Sequence, residues 1–142
     1  MKKKAPMTWM RTKPRSAPKL TENIRHETKA RLLAHAEKHY AGKYTRLDIR
    51  FRGAFCYIDA YQEPAKNLRP VPGSGETLAE YRERLRNTPT HLCRLEYHGH
   101  NRWTLGFFTY SNMKYERCVF HSGRFHGTPE EGLDAGAMYL EG

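Results

Sequence analysis

The apolar positions in the first half of the chain follow two different spacings. Across Leu20–Tyr40, apolar or small residues recur at multiples of four positions, the spacing of one face of an α-helix. Across Tyr44–Phe51 and Ala54–Tyr61 they alternate with polar or aromatic residues, the spacing of a half-buried β-strand. A glycine separates the two strand-like runs, so we predict a β-hairpin that turns near Arg52 and Gly53.

The second half predicts a loop, a short helix and three more strands. Prolines and glycines crowd residues 63–75, which is typical of a loop. Leu78, Tyr81 and Leu85 then share one face of a short helix. The runs that follow predict an antiparallel meander: His91–His98, Arg102–Ser111 and Tyr115–His121.

A third helix begins at a strong start signal. Thr128 is a capping residue, Pro129 suits the first helical position, and Glu131 stands third, while Leu133 and Leu140 continue one apolar face. The order is then α-ββ-α-βββ-α. We expect one α+β domain over residues 20–142, with about five antiparallel strands and the three helices packed on one face of the sheet.

Positive charge is concentrated at the N-terminus. The 142 residues carry a formal net charge of +10, and residues 1–19 contain seven cations but neither Asp nor Glu. Those cations are Lys2, Lys3, Lys4, Arg11, Lys13, Arg15 and Lys19. Three prolines deny this segment a continuous helix, so we expect an arm that is disordered in isolation. Such an arm gains affinity for nucleic acid by releasing counterions, although a Lys-rich terminus can also serve solubility alone.

The predicted hairpin offers a second basic surface. Arg46, Arg50 and Arg52 share its polar face with Tyr57 and Tyr61. Guanidinium groups bind phosphate and aromatic rings stack on bases, so this face suits nucleic acid. Two aspartates, Asp48 and Asp59, lie on the same face, so its arginines could equally serve cross-strand pairs that stabilise the sheet.

Eight histidines raise the question of a metal site or an active site. Their spacing matches no zinc motif, and we expect neither metal nor cofactor. The enzyme hypothesis is a nuclease in which His98, His100, His121 and His126 converge at one end of the meander and act as acid and base, while Arg102, Arg117 or Arg124 steadies the phosphate. Nothing in the sequence itself brings them together.

The sequence favours a cytoplasmic protein. The three cysteines lie in strand-like runs without CxxC spacing, which is typical of free thiols in a reducing compartment. The basic start is not followed by the apolar stretch of a signal peptide, and no apolar run is long enough to cross a bilayer.

The C-terminal third resembles a pattern in small bacterial proteins of unknown function. The residues that carry the resemblance are Arg102-Trp103, Phe108-Thr109-Tyr110-Ser111, Lys114-Tyr115-Glu116 and Gly127-Thr128-Pro129-Glu130-Glu131. The resemblance covers roughly residues 44–141. It implies a bacterial cytoplasmic protein and brings no activity with it.

We therefore expect a non-catalytic protein that binds DNA or RNA, or a nucleoprotein complex, with weak sequence preference. The arm would supply most of the affinity and the hairpin face a secondary contact. The alternative is an adaptor that binds another protein through an aromatic face of the sheet. The nuclease is the third hypothesis.

Overall fold

The computed structural model describes residues 18–140, and these form an α+β fold in the predicted order. Its helices are α1 (Glu22–Tyr40), α2 (Leu78–Arg86) and α3 (Pro129–Gly136), and a 3₁₀ turn follows at Ala137–Leu140. Its strands are β1 (Arg46–Arg52), β2 (Phe55–Tyr61), β3 (Thr90–Tyr97), β4 (Trp103–Thr109), β5 (Lys114–Cys118) and β6 (His126–Gly127).

The strands form one antiparallel sheet whose order is the order of the chain, from β1 to β5. This confirms the hairpin and the meander. The short β6 was not predicted, and it pairs with the first two residues of β4. It lies on the side of β4 where β5 pairs with Leu105–Thr109, so β5 and β6 together pair with the whole of β4.

One face of the sheet, which we call the inner face, packs against α1 and α3 around a single core. The predicted alternation places Ile49 in β1 and Cys56, Ile58 and Ala60 in β2 on this face, all buried. The other members of the core include Leu32 and Ala36 of α1, Leu92, Cys93 and Leu95 of β3, Trp103 and Leu105 of β4, and Leu133 of α3.

Both packed helices begin at a threonine, of which only Thr128 was predicted from the sequence. The Thr21 hydroxyl accepts a hydrogen bond from the Ile24 N–H and caps α1. Thr128 and Glu131 form a capping box at the start of α3, as predicted. The C-terminal half of α3 lies so close to β3 that a Cβ on Gly136 would stand 2.7 Å from the Leu92 carbonyl oxygen.

Helix α2 does not pack against the core, contrary to the prediction. None of its residues is buried, and Leu78 is 43% exposed. Its arginines instead hold it to the loop that precedes it: Arg82 donates to the carbonyl oxygens of Pro64 and Ala65, and Arg86 contacts Glu63. A capping box at Thr77 and Glu80 lets this short helix form without a buried face.

The strand boundaries differ from the prediction at two places. A β-bulge interrupts the pairing of β2 with β3 between Ile58 and Asp59, so Leu92 and Cys93 of β3 are both buried. The fifth strand ends at Cys118, three residues early, and a hydrogen-bonded turn around Gly123 follows it. Within residues 18–140, no helix is long and apolar enough to cross a membrane.

Candidate nucleic-acid interface

The face of the sheet opposite the inner face, here called the outer face, carries a row of basic and aromatic residues. Cross-strand neighbours from β1 to β5 are Arg50, Tyr57, Arg94, Gly106 and Arg117. Because directly paired residues of antiparallel strands point to the same side, this row runs across the whole sheet. Five strands spaced by ~4.8 Å make the row about 19 Å wide.

Aromatic rings stand beside this row and contact one another. Tyr57 of β2 meets Tyr115 of β5 with ring centroids 5.5 Å apart, in an edge-to-face arrangement. Tyr115 lies 5.3 Å from Phe108, and Phe108 lies 4.9 Å from Tyr110. Phe55 lies 6.2 Å from Tyr57 and completes what we call the aromatic cluster. Such contacts hold the rings in place while they stay within reach of solvent.

Besides Arg50, whose guanidinium lies 5.4 Å from the centre of the Tyr57 ring, two arginines of the outer face lie on aromatic rings. The Arg46 guanidinium lies 4.0 Å from the centre of the Tyr61 ring. The Arg94 guanidinium lies 4.1 Å from the Phe55 ring and 5.1 Å from the Tyr115 ring. In the described part of the chain, neither has a carboxylate partner within salt-bridge distance. Ring contacts orient a guanidinium without neutralising it, so both charges stay available to an anion.

Arg50, by contrast, is neutralised by two carboxylates. It lies 3.1 Å from Asp48 and 2.9 Å from Asp59, which face each other across β1 and β2. The Asp59 side chain is 4% exposed, and its other oxygen is 2.9 Å from Nδ1 of His91. Two opposed carboxylates repel, and the arginine between them removes that cost. Arg50 therefore fits the alternative given by the sequence, in which an arginine of this face stabilises the sheet through cross-strand pairs.

The remaining outer-face cations are exposed. Neither Arg52 nor Arg117 has an acidic partner among residues 18–140, and both are open to solvent. Gly106 leaves a small depression between Arg94 and Arg117, with Glu96 and Thr104 at its rim. A shallow groove of about 540 Å³ lies nearer β1, between Arg50, Arg52, Tyr57, His91 and Tyr115.

The environment of Tyr115 is reflected in its acidity. Partial burial, followed by the nearby Asp59 carboxylate, raises the pKa of Tyr115 to about 12. The phenol is therefore neutral at physiological pH and can donate a hydrogen bond from within the aromatic cluster.

The predicted hairpin residues do share one face: Arg46, Arg50 and Arg52 with Tyr57 and Tyr61. The predicted arm cations Lys2, Lys3, Lys4, Arg11, Lys13 and Arg15 lie outside the described residues. Lys19 is described and is exposed. Its neighbour Pro18 packs on Gly99, so the arm joins the domain at the turn between β3 and β4.

Sequence reasoning missed two residues of this face, His91 and Arg94, and it named Arg117 only in the nuclease hypothesis. The signal for Arg94 was present, because strict alternation along His91–His98 puts it opposite the apolar Cys93 and Leu95. What the sequence did not show was that β3 lies in the middle of the sheet, which makes Arg94 the centre of the face.

The histidines come together only in part. His98 and His126 lie with ring centroids 5.5 Å apart, and Nε2 of His98 is 3.1 Å from the Thr104 hydroxyl. His100 and His121 are exposed, and within the described residues neither contacts this pair. No group of three or more potential metal ligands occurs in residues 18–140.

His35 serves the packing of α1 against α3. Its Nε2 lies 2.7 Å from Asp134 Oδ1, which also accepts a 2.6 Å hydrogen bond from the Tyr40 hydroxyl. Burial alone would raise the pKa of Asp134, but the hydrogen bonds from Tyr40 and His35 outweigh it and leave that pKa lowered. Burial and the Asp134 contact raise the pKa of Tyr40 to about 12.

The three cysteines are free thiols, as the sequence indicates. Cys56 and Cys93 are fully buried, and burial raises the pKa of Cys56 to about 12.

Comparisons with protein-family models, with curated proteins and with solved structures find no match to this chain.

Proposed function

We propose that this protein binds single-stranded nucleic acid, DNA or RNA, on the outer face of its sheet, without catalysing a reaction. The cationic arm adds phosphate contacts and supplies most of the affinity. Sequence preference is weak, because phosphate contacts and ring stacking carry little base information. A nucleoprotein complex that exposes a single strand is an equivalent partner.

The observation that supports this proposal most strongly is the position of Arg94. It lies at the centre of an open face, stacked on Phe55 and near Tyr115, without a carboxylate partner among the described residues. An arginine that only stabilised the sheet would pair with an acid, as Arg50 does. Glu96, two positions along the same strand, forms no salt bridge with Arg94 within the described residues.

Phosphate and base have separate places on this face. Arg46, Arg52, Arg94 and Arg117 provide four cations without a carboxylate partner in the described part of the chain, spread from β1 to β5. The aromatic cluster lies between them, and stacking on such rings contributes about 1–3 kcal/mol per base. Bases of a duplex are already stacked on each other, so rings presented in this way favour a single strand.

The test measures binding of labelled single-stranded and duplex oligonucleotides to the full chain by fluorescence anisotropy. We expect Arg94→Gln and Tyr57→Leu each to weaken single-strand binding about tenfold, since each removes one charged contact or one stacking platform. Matched controls are Lys29→Gln, which removes an equal charge from an exposed position on α1, and Tyr81→Leu, which removes a tyrosine from α2.

Two outcomes oppose the proposal. Equal losses in the face variants and their controls would mean that only net charge matters. Absence of binding at low salt would favour the alternative, an adaptor that docks a protein on the same aromatic cluster. An adaptor complex would also depend much less on salt than a complex with phosphates.

We also propose that the protein works in the cytoplasm of a bacterial cell. Three free thiols and a nucleic-acid partner fit the reducing cytoplasm, and the resemblance of the C-terminal third to small bacterial proteins points to a bacterial cell. Labelling of the native protein in cells with a thiol reagent, followed by mass spectrometry, tests the first of these points.

A further inference from the structure

A second basic site lies at the end of the sheet, where β6 pairs with β4. It is an open groove of about 780 Å³ that we call the edge groove. Arg102, Arg124, Phe125, His126 and Thr128 are among the residues that line it. His126 is the cross-strand neighbour of Thr104, so the groove borders the outer face without being part of the aromatic cluster.

The two arginines of the edge groove are held by ordered turns. The Arg102 carbonyl oxygen accepts a 2.8 Å hydrogen bond from the His98 N–H, and the Arg102 N–H donates to Gly99. Asn101, in the same turn, is bound through its side chain by Arg31 of α1, at 2.8 Å. The backbone that carries Arg102 is therefore tied to both the sheet and a helix.

A buried phenylalanine anchors the second turn. The Phe120 N–H donates to the Arg124 carbonyl oxygen at 2.9 Å, and the Phe120 side chain is 2% exposed. A Cβ on Gly127 would stand 2.9 Å from the Phe120 ring, so only glycine lets the turn close against β6. This packing fixes Arg124 and Phe125 beside His126.

The residues that line the edge groove carry more positive than negative charge. Arg102 and Arg124 have no carboxylate partner in the described part of the chain. Among residues 18–140, the one acid that lines the groove is Glu131, whose Oε1 accepts hydrogen bonds from the Thr128 N–H and hydroxyl as part of the α3 capping box. The guanidinium groups thus stand in a concave site with no local counterion bound to them.

The groove also offers an apolar ring. Phe125 is 58% exposed, although its neighbour Phe120 is buried in the core. An exposed aromatic ring next to two arginines provides a stacking surface next to an anion site.

We propose that the edge groove binds the phosphate group of a nucleotide unit, with its base on Phe125 and its phosphate on Arg102, Arg124 and His126. The unit is either a free nucleotide or the phosphorylated end of a strand. The proposal goes beyond binding on the outer face and does not depend on it.

His126 gives the site a dependence on pH. Desolvation, and then the nearby Arg102, His98 and Arg117, hold its pKa below the ordinary value, so its ring is neutral at pH 7 in the free protein. Arg124 and Glu131 also line its groove, and Thr104 is its neutral neighbour on β4. A bound phosphate dianion opposes the effect of the arginines, so binding takes up a proton and becomes stronger as the pH falls.

The test follows the histidine resonances of the full chain by NMR during titration with adenosine monophosphate, with adenosine as the uncharged control. We expect the monophosphate, and not adenosine, to shift the His126 resonances and raise its pKa. Arg102→Gln and Arg124→Gln should each weaken binding about tenfold, the usual effect of losing a charge-assisted hydrogen bond. Arg69→Gln removes the same charge from an exposed position in the loop before α2, where Arg69 contacts the carbonyl oxygens of Lys66 and Leu68, and should leave the affinity unchanged.

The pH dependence needs its own control, because phosphate monoesters themselves titrate near about pH 6. Between about pH 8 and about pH 6, the native chain should gain more affinity than the His126→Gln variant does. Equal gains would show that His126 takes no part.

The two sources of the phosphate are distinguished with oligonucleotides that carry or lack a 5′-phosphate. A preference for the phosphorylated strand that Arg124→Gln abolishes identifies a strand end, whereas equal binding of both strands identifies a free nucleotide. The proposal is overturned if the monophosphate causes no shift at His126, or if Arg69→Gln weakens binding as much as Arg102→Gln does. Neither result affects outer-face binding, which is measured with strands that lack a terminal phosphate.

Discussion

Replacing Gly136 by alanine tests how closely the backbone of α3 approaches the backbone of β3. A Cβ at this position would stand 2.7 Å from the Leu92 carbonyl oxygen and 3.0 Å from its carbon. Both atoms belong to the backbone of β3, next to the β-bulge, so neither can rotate away. The C-terminal end of α3 has to move off the sheet, or β3 has to bend.

The magnitude follows from two opposing effects. An alanine in a helix interior is favoured over glycine by about 1 kcal/mol, and by less here, because Gly136 is the last residue of α3. Forcing an extra methyl group into a well-packed core costs about 1–3 kcal/mol. The clash with the backbone puts Gly136→Ala in the upper part of that range, so we expect a net loss of about 2 kcal/mol.

Gly132→Ala is the matched control within the same helix. Its added Cβ would meet the Leu95 side chain, with the closest atom at 2.5 Å. The end of a leucine side chain can change rotamer, and this position gains the full helical preference, so the loss should be smaller. Urea unfolding, with free energies from linear extrapolation, measures both variants. The reasoning is refuted if Gly136→Ala is as stable as the native chain, or more stable than Gly132→Ala.

Three further predictions concern two acids that pair with arginines and the free thiols. Asp59→Asn should lower the free energy of unfolding by about 1–3 kcal/mol, because it weakens the charged hydrogen bond to Arg50; an unchanged urea midpoint would contradict this. The hydrogen bond from Arg31 holds the pKa of Glu130 in the folded protein below its ordinary value. The Glu130 carboxylate therefore stabilises the fold fully when the pH is above that ordinary pKa, and this stabilisation is lost as the pH falls through the lowered pKa of the folded state. Thermal melts of Glu130→Gln should therefore approach those of the native chain only in acid. Only Cys118 should react with a thiol reagent in the native state, because the other two cysteines are buried. Mass spectrometry of the labelled protein, with Cys118→Ser as the control, checks this.

Local patterns in the sequence were enough to predict most of the fold. The hairpin turns at Gly53, the glycine that separates the two alternating runs, and α3 begins directly after its predicted capping residue, Thr128. These features depend on residues close together in the chain. Helix α2 shows where such patterns stop being sufficient. Its apolar spacing correctly predicted a helix, but the helix is held by the carbonyl groups of a loop, and no periodic pattern in the sequence reveals that contact.

The candidate site was predictable to a smaller extent. Strand alternation correctly placed the three hairpin arginines on one face, but it could not show that Arg50 is bound by two aspartates while Arg52 is not. The centre of the face needed the pairing of β2 with β3, which was not predicted, since Arg94 meets Phe55 only because the hairpin joins the meander there. The edge groove likewise depends on β6, whose two residues are too few to give a pattern.

The most direct test of the proposed function is the salt dependence of single-strand binding, measured by fluorescence anisotropy on three full-length chains. The first is the native chain, the second has the six cations of residues 1–17 changed to glutamine, and the third carries Arg52→Gln, Arg94→Gln and Arg117→Gln. If these cations meet phosphates, the slope of log affinity against log salt should become shallower by about 4 in the arm variant and by about 2 in the face variant. A slope that neither variant changes, or no binding at low salt, would contradict the account.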